Sequence, residues 1–471
     1  MKMPQPKQKQ VRCSHPSLLT TPSPHALSFK YKQPTPRQLQ MALKPNSTAN
    51  ILAPPTRTDL ENFPAPLVLP DDDLDLNSEQ PAQPFQKWHD IKSRNKVTDG
   101  RRTIYVLAPP AVEKADGTDE SDCDIGTWTI PRGHGLSESR LSKPSHQDII
   151  SYLSAFYTGI TVKPLIMPTY ALQPSPKTKT PQRGQKYIRL ATASQATKSK
   201  LNSKSGCIRI RKSPDGIYPY QLNLGDLLNV AMDILPEDAY ALCMLTDHDL
   251  YEDEEDTFTC GRAYGGRSVC IVSTARYNPL LDKEMGVERE HAWPASHCLA
   301  YINSLCELEE QPSLKKRKTT SISASKRTKY NLDRENTEQN PSPLQAAIAA
   351  FSASPITETS ASLSSLYLSR ITRTTSHELG HCLGIAHCTY YACIMQSSAS
   401  LSEDVRQPPD LCPVDLAKVL FATGGDLKGR YMALLEFCER DESREGPHFA
   451  ALGAWLRTSL SLKDRQVHGD L

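Results

Sequence analysis

The sequence of 471 residues lacks long hydrophobic runs. No stretch approaches the roughly 18 apolar residues that a membrane-spanning helix needs. Its first residues, MKMPQPKQKQVRCSHPSLLTTP, lack the continuous apolar core that a secretory signal requires. We therefore expect a soluble intracellular protein, in the cytoplasm, the nucleus or both, with no membrane partner.

The sequence also has little net charge, because 55 Lys and Arg residues nearly balance 53 Asp and Glu residues. The resulting net charge of +2 does not indicate nucleic acid as a partner of the whole chain. Two basic clusters, at 315–318 and 326–329, fit either a nuclear-localisation signal or a solvated insert, and both interpretations stay open. No aromatic residues are interleaved with these clusters, which argues further against nucleic-acid binding.

Apolar residues make up only 38% of the chain, and its 37 prolines are densest in the first hundred residues. A segment of this composition cannot offset its ordering entropy by burial. We predict a disordered Pro-rich tail over 1–97 and one folded domain over 98–460. A low-complexity insert is predicted at about 311–343, and 461–471 is predicted to be a C-terminal tail.

Within the domain, helical and strand patterns alternate. RRTIYVLAP, TVKPLIM and GGRSVCIVSTARY are predicted strands, and the continuous apolar run Tyr240–Thr246 is typical of a central buried strand. If the strand with Val269 and Ile271 lies at the edge of the sheet, its free backbone groups could pair with an extended peptide. SHQDIISYLSAFYTG is a predicted helix, and apolar residues at helical spacing predict another that begins at Leu224 and ends before Pro236. Two Lys/Ser/Thr/Pro-rich stretches, 173–185 and 191–204, are predicted surface loops.

The most informative motif is TTSHELGHCLGIAHC. His377 and His381 are one helical turn apart, so both imidazoles can bind one metal ion. Gly384 can adopt a positive φ and return His387 as a third ligand. Zinc held by three protein nitrogens keeps a fourth position for water and lowers the pKa of that water to about 7, and Glu378 is placed to take its proton. The competing interpretation is that these histidines are ordinary polar residues of a half-buried helix.

A second metal site is predicted directly after the first. The 13 cysteines are odd in number and irregularly spread, but Cys388, Cys393 and Cys412 lie close to the histidines. In a reducing compartment, such a cluster indicates thiolate ligands rather than disulfides. A closed structural zinc site needs four donors, and a C-x-x-C spacing from Cys412 falls on Asp415. A carboxylate can complete such a site, although it is a harder ligand than a thiolate.

The run of these residues resembles the signature of the archaemetzincins, a branch of the metzincin metallopeptidases. The resemblance is close in HELGHCLGIAHCTYYACIMQ and extends in weaker form over roughly 101–443. It implies an α/β (α+β) domain with a twisted mixed sheet, an active-site helix and a Met-turn at Met395. It also implies a catalytic zinc and a second, structural zinc on four cysteines, a pattern from which this chain departs at Asp415.

The leading hypothesis from the sequence is a zinc-dependent peptidase that acts on peptides or proteins, with Glu378 as general base and then acid. Whether it acts as an aminopeptidase or an endopeptidase stays open. The alternative is a zinc-stabilised interaction module with weak or no peptidase activity. An intact Glu378 speaks against that alternative, because a purely structural site has no need of a base.

Overall fold

The computed structural model describes residues 15, 17–28, 31–43, 62–112, 125–132, 141–167, 170–174, 186–192, 206–309, 341–354, 357–440 and 446–469. In chain order the helices are α1 (Pro24–Ser28), α2 (Pro36–Leu43), α3 (Asp73–Leu76), α4 (Phe85–His89), α5 (His146–Phe156), α6 (Leu224–Asp233), α7 (Leu299–Glu309), α8 (Pro343–Ala353), α9 (Ser360–Cys382), α10 (Leu401–Asp404), α11 (Pro413–Thr423), α12 (Leu427–Glu439) and α13 (Pro447–Gly469). The strands are β1 (Thr103–Leu107), β2 (Ala111–Val112), β3 (Thr161–Pro164), β4 (Tyr170–Pro174), β5 (Lys186–Thr192), β6 (Cys207–Lys212), β7 (Tyr220–Asn223), β8 (Ala239–Thr246), β9 (Asp249–Tyr251), β10 (Gly261–Tyr264) and β11 (Val269–Ser273).

A mixed sheet of five strands, in the order β10-β11-β8-β1-β3, forms the centre of the fold. Its pairings are parallel except for β10, which runs antiparallel to β11. All eight residues of β8 are buried, as its continuous apolar sequence predicts for a strand covered on both faces. The predicted α/β class with a mixed sheet is confirmed.

The two faces of this sheet pack against different helices. Because side chains alternate along a strand, Cys243 of β8 joins the core that includes α5 and α9, whereas Leu242 joins the core that includes α6. Side chains cap two of these helices: Ser145 Oγ accepts a hydrogen bond from the Asp148 amide at 3.0 Å at the start of α5, and Thr359 caps α9 in the same way. The long helix α9 lies across one face of the central sheet, in contact with β10 and β11.

A second sheet of six strands, in the order β2-β4-β5-β6-β7-β9, was not predicted. Two of its strands, β4 and β5, extend into the ends of the stretches predicted as surface loops at 173–185 and 191–204. Residues 175–185 and 193–205 themselves lie outside the described residues. The sheet shares its core with α6, through side chains such as Leu222 and Leu250.

The edge of the central sheet differs from the one considered in the sequence analysis. We considered the strand that contains Val269 and Ile271 as a possible edge, but β11 is interior, between β10 and β8. The edge strand is the shorter β10, whose residues alternate between partly buried and exposed. This difference is important for the site, because β10 borders the cleft described below.

The predicted disorder over 1–97 is wrong for residues 62–97. Trp88 of α4 is fully buried, and its Nε1 donates a hydrogen bond to the carbonyl of Leu383 at 2.9 Å. Asn95 Nδ2 donates to the carbonyl of Tyr240, in β8, at 2.9 Å. These residues pack against the central sheet and the end of α9, so they are part of the folded unit.

Two further predictions concern the later segments of the chain. The predicted insert at 311–343 lies outside the described residues as far as 340. The segment predicted as a C-terminal tail, 461–471, is helical as far as Gly469, because α13 continues to that residue. No helix in the described part of the chain combines the length and the apolar character that crossing a bilayer requires.

Candidate metal centres

Three imidazoles converge at the end of α9. His377 and His381 project from the last turns of the helix, and His387 returns to them after the turn that follows. The Nε2 atoms of His377 and His381 are 3.0 Å apart, and one ligand atom from each of the three residues lies within 4.8 Å of the others. Nitrogens bound tetrahedrally to one zinc ion lie roughly 3.4 Å apart, so the cluster fits a zinc ion.

The opposite nitrogen of each helical histidine is anchored to the backbone. His377 Nδ1 donates to the carbonyl of Ile394 and His381 Nδ1 to that of Ile385, each at 2.7 Å. These bonds leave the Nε2 lone pairs directed at the shared space, the usual arrangement of metal-binding histidines. Burial lowers the pKa of His381 to about 4 and the pKa of His377 well below its usual value, so both rings are neutral at pH 7.

Glu378 lies beside the histidines and is only 8% exposed. Burial raises the pKa of its carboxyl to about 8, while the positive charge of Arg262 acts in the opposite direction. Gly261 of β10 lies directly against it: a Cβ at that position would be 3.4 Å from Glu378 Oε1. The carboxyl group is thus placed between α9 and the edge strand.

The turn between His381 and His387 depends on Gly384, whose φ is +78°. A side chain there would be strained and would also meet Arg94 Cγ at 2.9 Å. Gln83, from the N-terminal segment, spans the turn: its Nε2 donates to the Gly384 carbonyl and its Oε1 accepts from the Ala386 amide, both at 3.0 Å. The sequence analysis missed Gln83, and no local pattern marks it.

Met395 lies beneath α9 and is fully buried. A Cβ on Gly380 would be 2.5 Å from Met395 Sδ, so the helix has a glycine where the methionine touches it. The Met395 carbonyl also accepts a hydrogen bond from the Cys388 amide at 2.8 Å. Met395 therefore packs against α9 at Gly380, between the positions of His377 and His381, and its backbone is tied to the start of the second cluster.

Cys388, Cys393, Cys412 and Asp415 form the second cluster, and all four are buried. The sulfurs of Cys388 and Cys412 are 3.6 Å apart, and Asp415 Oδ2 lies 3.4 Å from Cys393 Sγ and 3.6 Å from Cys412 Sγ. With Zn–S bonds of about 2.3 Å, a tetrahedral zinc separates its sulfurs by roughly 3.8 Å, so the donor set fits a closed zinc site. The three cysteines are free of disulfides, whereas Cys298 is disulfide-bonded.

Lys418, which the sequence analysis missed, adds a cation to this cluster. Its Nζ donates to Asp415 Oδ1 at 2.7 Å, and both side chains are 1% exposed. Burial raises the pKa of Asp415 to about 7, and Lys418 opposes that rise. Because Lys418 binds Oδ1, the other oxygen, Oδ2, is the one that faces the thiols. Lys418 Nζ also reaches Gln83 Oε1 at 3.1 Å, which links the second cluster to the turn that carries His387.

An open cleft of about 1070 Å³ exposes the first cluster to solvent. Its walls include the three histidines, Glu378 and residues of β10 on one side, and residues 396–401 on the other. Acidic groups such as Asp73 and Glu284 also line it. The second cluster, by contrast, is enclosed.

A helix bearing H-E-x-x-H, a glycine turn, a third histidine and a methionine floor are together the site architecture of metzincin-type zinc metallopeptidases. The sequence model of Peptidase family M54 matches residues 339–419, which contain both clusters. Over these residues the chain is similar to peptidase family M54, and the resemblance to the archaemetzincins recognised from the sequence is confirmed.

The relatives agree with this assignment. Archaemetzincin-2 of Homo sapiens is 29% identical over 233 residues, which cover 50% of this chain and 50% of that protein. Archaemetzincin-1 of Homo sapiens is 26% identical over 235 residues, covering 50% of this chain and 35% of that protein. The crystal structure of archaemetzincin from Methanopyrus kandleri covers 68% of this chain and 96% of that chain at 15% identity, with a TM-score of 0.28, too low for conclusions. The chain thus spans about half the length of the Archaemetzincin-2 it matches.

Proposed function

We propose that this protein is a zinc-dependent peptidase whose catalytic zinc is held by His377, His381 and His387. One observation supports the proposal above all others: three imidazole nitrogens converge beside a buried carboxyl group in an open cleft. A closed structural site would have four protein donors and no cleft. Zinc bound in this way acts as a Lewis acid towards a carbonyl group and makes water more acidic.

Glu378 is proposed to carry the proton. Its carboxyl group, buried beside the three histidines, is proposed to take a proton from water and to return it to a leaving amine. The side chain is held between α9 and Gly261, so its position is fixed before a substrate arrives. The Nδ1 bonds of His377 and His381 to backbone carbonyls serve the same purpose for the rings.

The edge strand β10 is proposed to bind the substrate backbone. Among the strands that the structure describes, β10 pairs with β11 on one side only, and its residues line the cleft that also contains Glu378. An extended peptide that adds to a free strand edge gains backbone hydrogen bonds whatever its sequence. The close approach of β10 at Gly261 would bring such a peptide within reach of the carboxyl group. We therefore propose peptides or proteins in extended conformation as the substrate class.

Cys388, Cys393, Cys412 and Asp415 are proposed to hold a second, structural zinc. Cys388 follows His387 directly, and Cys393 lies two residues before Met395, so one ion would fix both ends of the loop beneath the catalytic histidines. Asp415→Ala is expected to lose one zinc ion per chain, because three thiolates leave the site one donor short. Native mass spectrometry measures the loss, and Asp464→Ala, on the exposed part of α13, is the control that should keep both ions.

The substitution Glu378→Gln tests the catalytic proposal. It keeps the shape of the side chain but removes the base, so the variant should retain zinc and lose about 10²–10⁴-fold in the rate of peptide hydrolysis. Glu439→Gln, at an exposed position on α12, should hydrolyse peptides like the wild type. Equal turnover by wild type and Glu378→Gln would contradict the role of Glu378. Zinc-loaded wild type without any turnover would favour the alternative, a zinc-stabilised interaction module.

A further inference from the structure

A third group of metal-ligating side chains lies away from both clusters. His15 and the pair Glu290 and His291 come together where the N-terminal segment pairs with the loop before α7. The pairing itself is regular: the Leu19 amide donates to the His297 carbonyl at 2.8 Å, and the Leu299 amide to the Ser17 carbonyl at 2.9 Å. The positions of these side chains therefore follow from a backbone contact between two distant parts of the chain.

The donor atoms of this group are spaced as ligands of one ion. One ligand atom from each of the three residues lies within 4.8 Å of the other two. His15 Nε2 is 3.9 Å from Glu290 Oε1, too far for a hydrogen bond but suited to two ligands of a shared cation. The rings of His15 and His291 meet edge to face, with centroids 5.6 Å apart.

The partners of the ring nitrogens make the stronger argument. His291 Nδ1 donates to Glu288 Oε1 at 2.8 Å, and His15 Nδ1 is 3.5 Å from Ser352 Oγ. The Nε2 atoms of both histidines are buried and have no hydrogen-bond partner among the residues that the structure describes. A buried polar atom without a partner costs about 1–3 kcal/mol. The Glu288–His291 bond also has the form of the carboxylate–histidine pair that orients metal-binding imidazoles.

We propose that His15, Glu290 and His291 form a third zinc-binding site. Two imidazoles and a carboxylate are a donor set that zinc accepts, and a bound ion would satisfy both buried Nε2 atoms at once. Glu288 is then a positioning residue that holds the His291 ring, which is also stacked on Tyr301 at a centroid distance of 4.0 Å. The Glu290 side chain is 47% exposed, so a water molecule can complete the coordination from the solvent side.

Such an ion would fasten the N-terminal segment to the loop before α7. That loop also contacts the region below the cleft, since the Trp293 amide donates to the Val405 carbonyl at 2.9 Å. Its ligands are separate from those of the two clusters at the end of α9. The proposal of a third site therefore does not depend on the proposed peptidase activity.

The zinc content of the full chain tests the proposal. Native mass spectrometry in micromolar free zinc should show one ion fewer in His15→Ala and in Glu290→Ala than in the wild type. His89→Ala removes an exposed histidine paired with Asp90 and should leave the number unchanged. The comparison is made with the wild type, so it is valid whether or not the other two sites fill.

Two features keep this test decisive. Glu290 is exposed, so Glu290→Ala is expected to fold, and a far-ultraviolet circular dichroism spectrum like that of His89→Ala, with one cooperative unfolding transition, confirms it. Glu288→Gln should keep the ion but weaken its binding by about 10–100-fold, measured by competition with a chromophoric chelator. The proposal is overturned if folded Glu290→Ala and His15→Ala bind as many zinc ions as the wild type.

Discussion

Gln83 is the side chain by which the N-terminal segment holds the turn that carries His387. It makes hydrogen bonds of 3.0 Å to Gly384 and Ala386 and one of 3.1 Å to the Lys418 ammonium group. A neutral hydrogen bond contributes about 1 kcal/mol net and a charge-assisted one about 1.5–3 kcal/mol. Gln83→Ala removes two neutral bonds and one charge-assisted bond, so it should lower the free energy of unfolding by about 3.5–5 kcal/mol.

Urea unfolding of the zinc-loaded chain measures this loss. Gln86→Ala, three residues further along the same segment, removes an amide that contacts Asp90 at the surface and should cost less than about 0.5 kcal/mol. Gln83→Ala should also weaken zinc binding at His387, because the turn is no longer held. Equal unfolding midpoints for the two variants would show that the N-terminal segment does not hold this turn, and would refute the reasoning.

Two further predictions concern packing and pH. Gly380→Ala places a Cβ 2.5 Å from Met395 Sδ and should lower the free energy of unfolding, measured in urea, by about 1–3 kcal/mol. Gly266→Ala, where no described atom lies within 4 Å, is the control and should lower it far less. Similar losses in the two variants would contradict the contact between Gly380 and Met395. Burial lowers the pKa of His297 to about 4 from its usual 6.5, so the unfolded chain binds the proton more readily than the folded one. As the pH is lowered from 6.5 to about 4, the free energy of unfolding should therefore fall by roughly 3 kcal/mol on account of this group. His297→Gln should flatten that slope in unfolding titrations, and parallel curves would count against the assignment.

The residues proposed to bind metal could be predicted from the sequence because they lie close together along the chain. Helical periodicity puts His377 and His381 on one face, and a glycine two residues after the helix allows the return of His387. The structure brings all three together, as it does Cys388, Cys393, Cys412 and Asp415.

The side chains that hold these residues in place could not be predicted from the sequence, because most of their contacts join distant parts of the chain. The segment around Trp88 is short and rich in proline, and the carbonyl that it contacts, that of Leu383, lies 295 residues away. Lys418 looks like an ordinary surface lysine of a helix, and only the packing of α11 shows that it is buried against Asp415. Neither feature leaves a periodic pattern.

The edge of the central sheet is β10 and not β11, and the composition of the two strands explains why. The apolar run of β11 is the pattern of a strand buried on both faces, and its neighbour β10 is short, with Arg262 and Tyr264 exposed. Short strands with charged residues are typical of protected edges. The composition of the two strands thus agreed with the observed order, but the sequence analysis considered the more apolar strand as the edge.

Hydrolysis of an unbiased peptide mixture by the purified full chain tests the central claim most directly. The protein is assayed as isolated, after removal of metal with a chelator, and after zinc is returned. Cleavage that is lost with the metal and restored by zinc is the predicted result, since the three histidines supply the ligands and Glu378 the base. Cleavage that persists unchanged in metal-free protein, or no cleavage by the zinc-loaded chain, would contradict it.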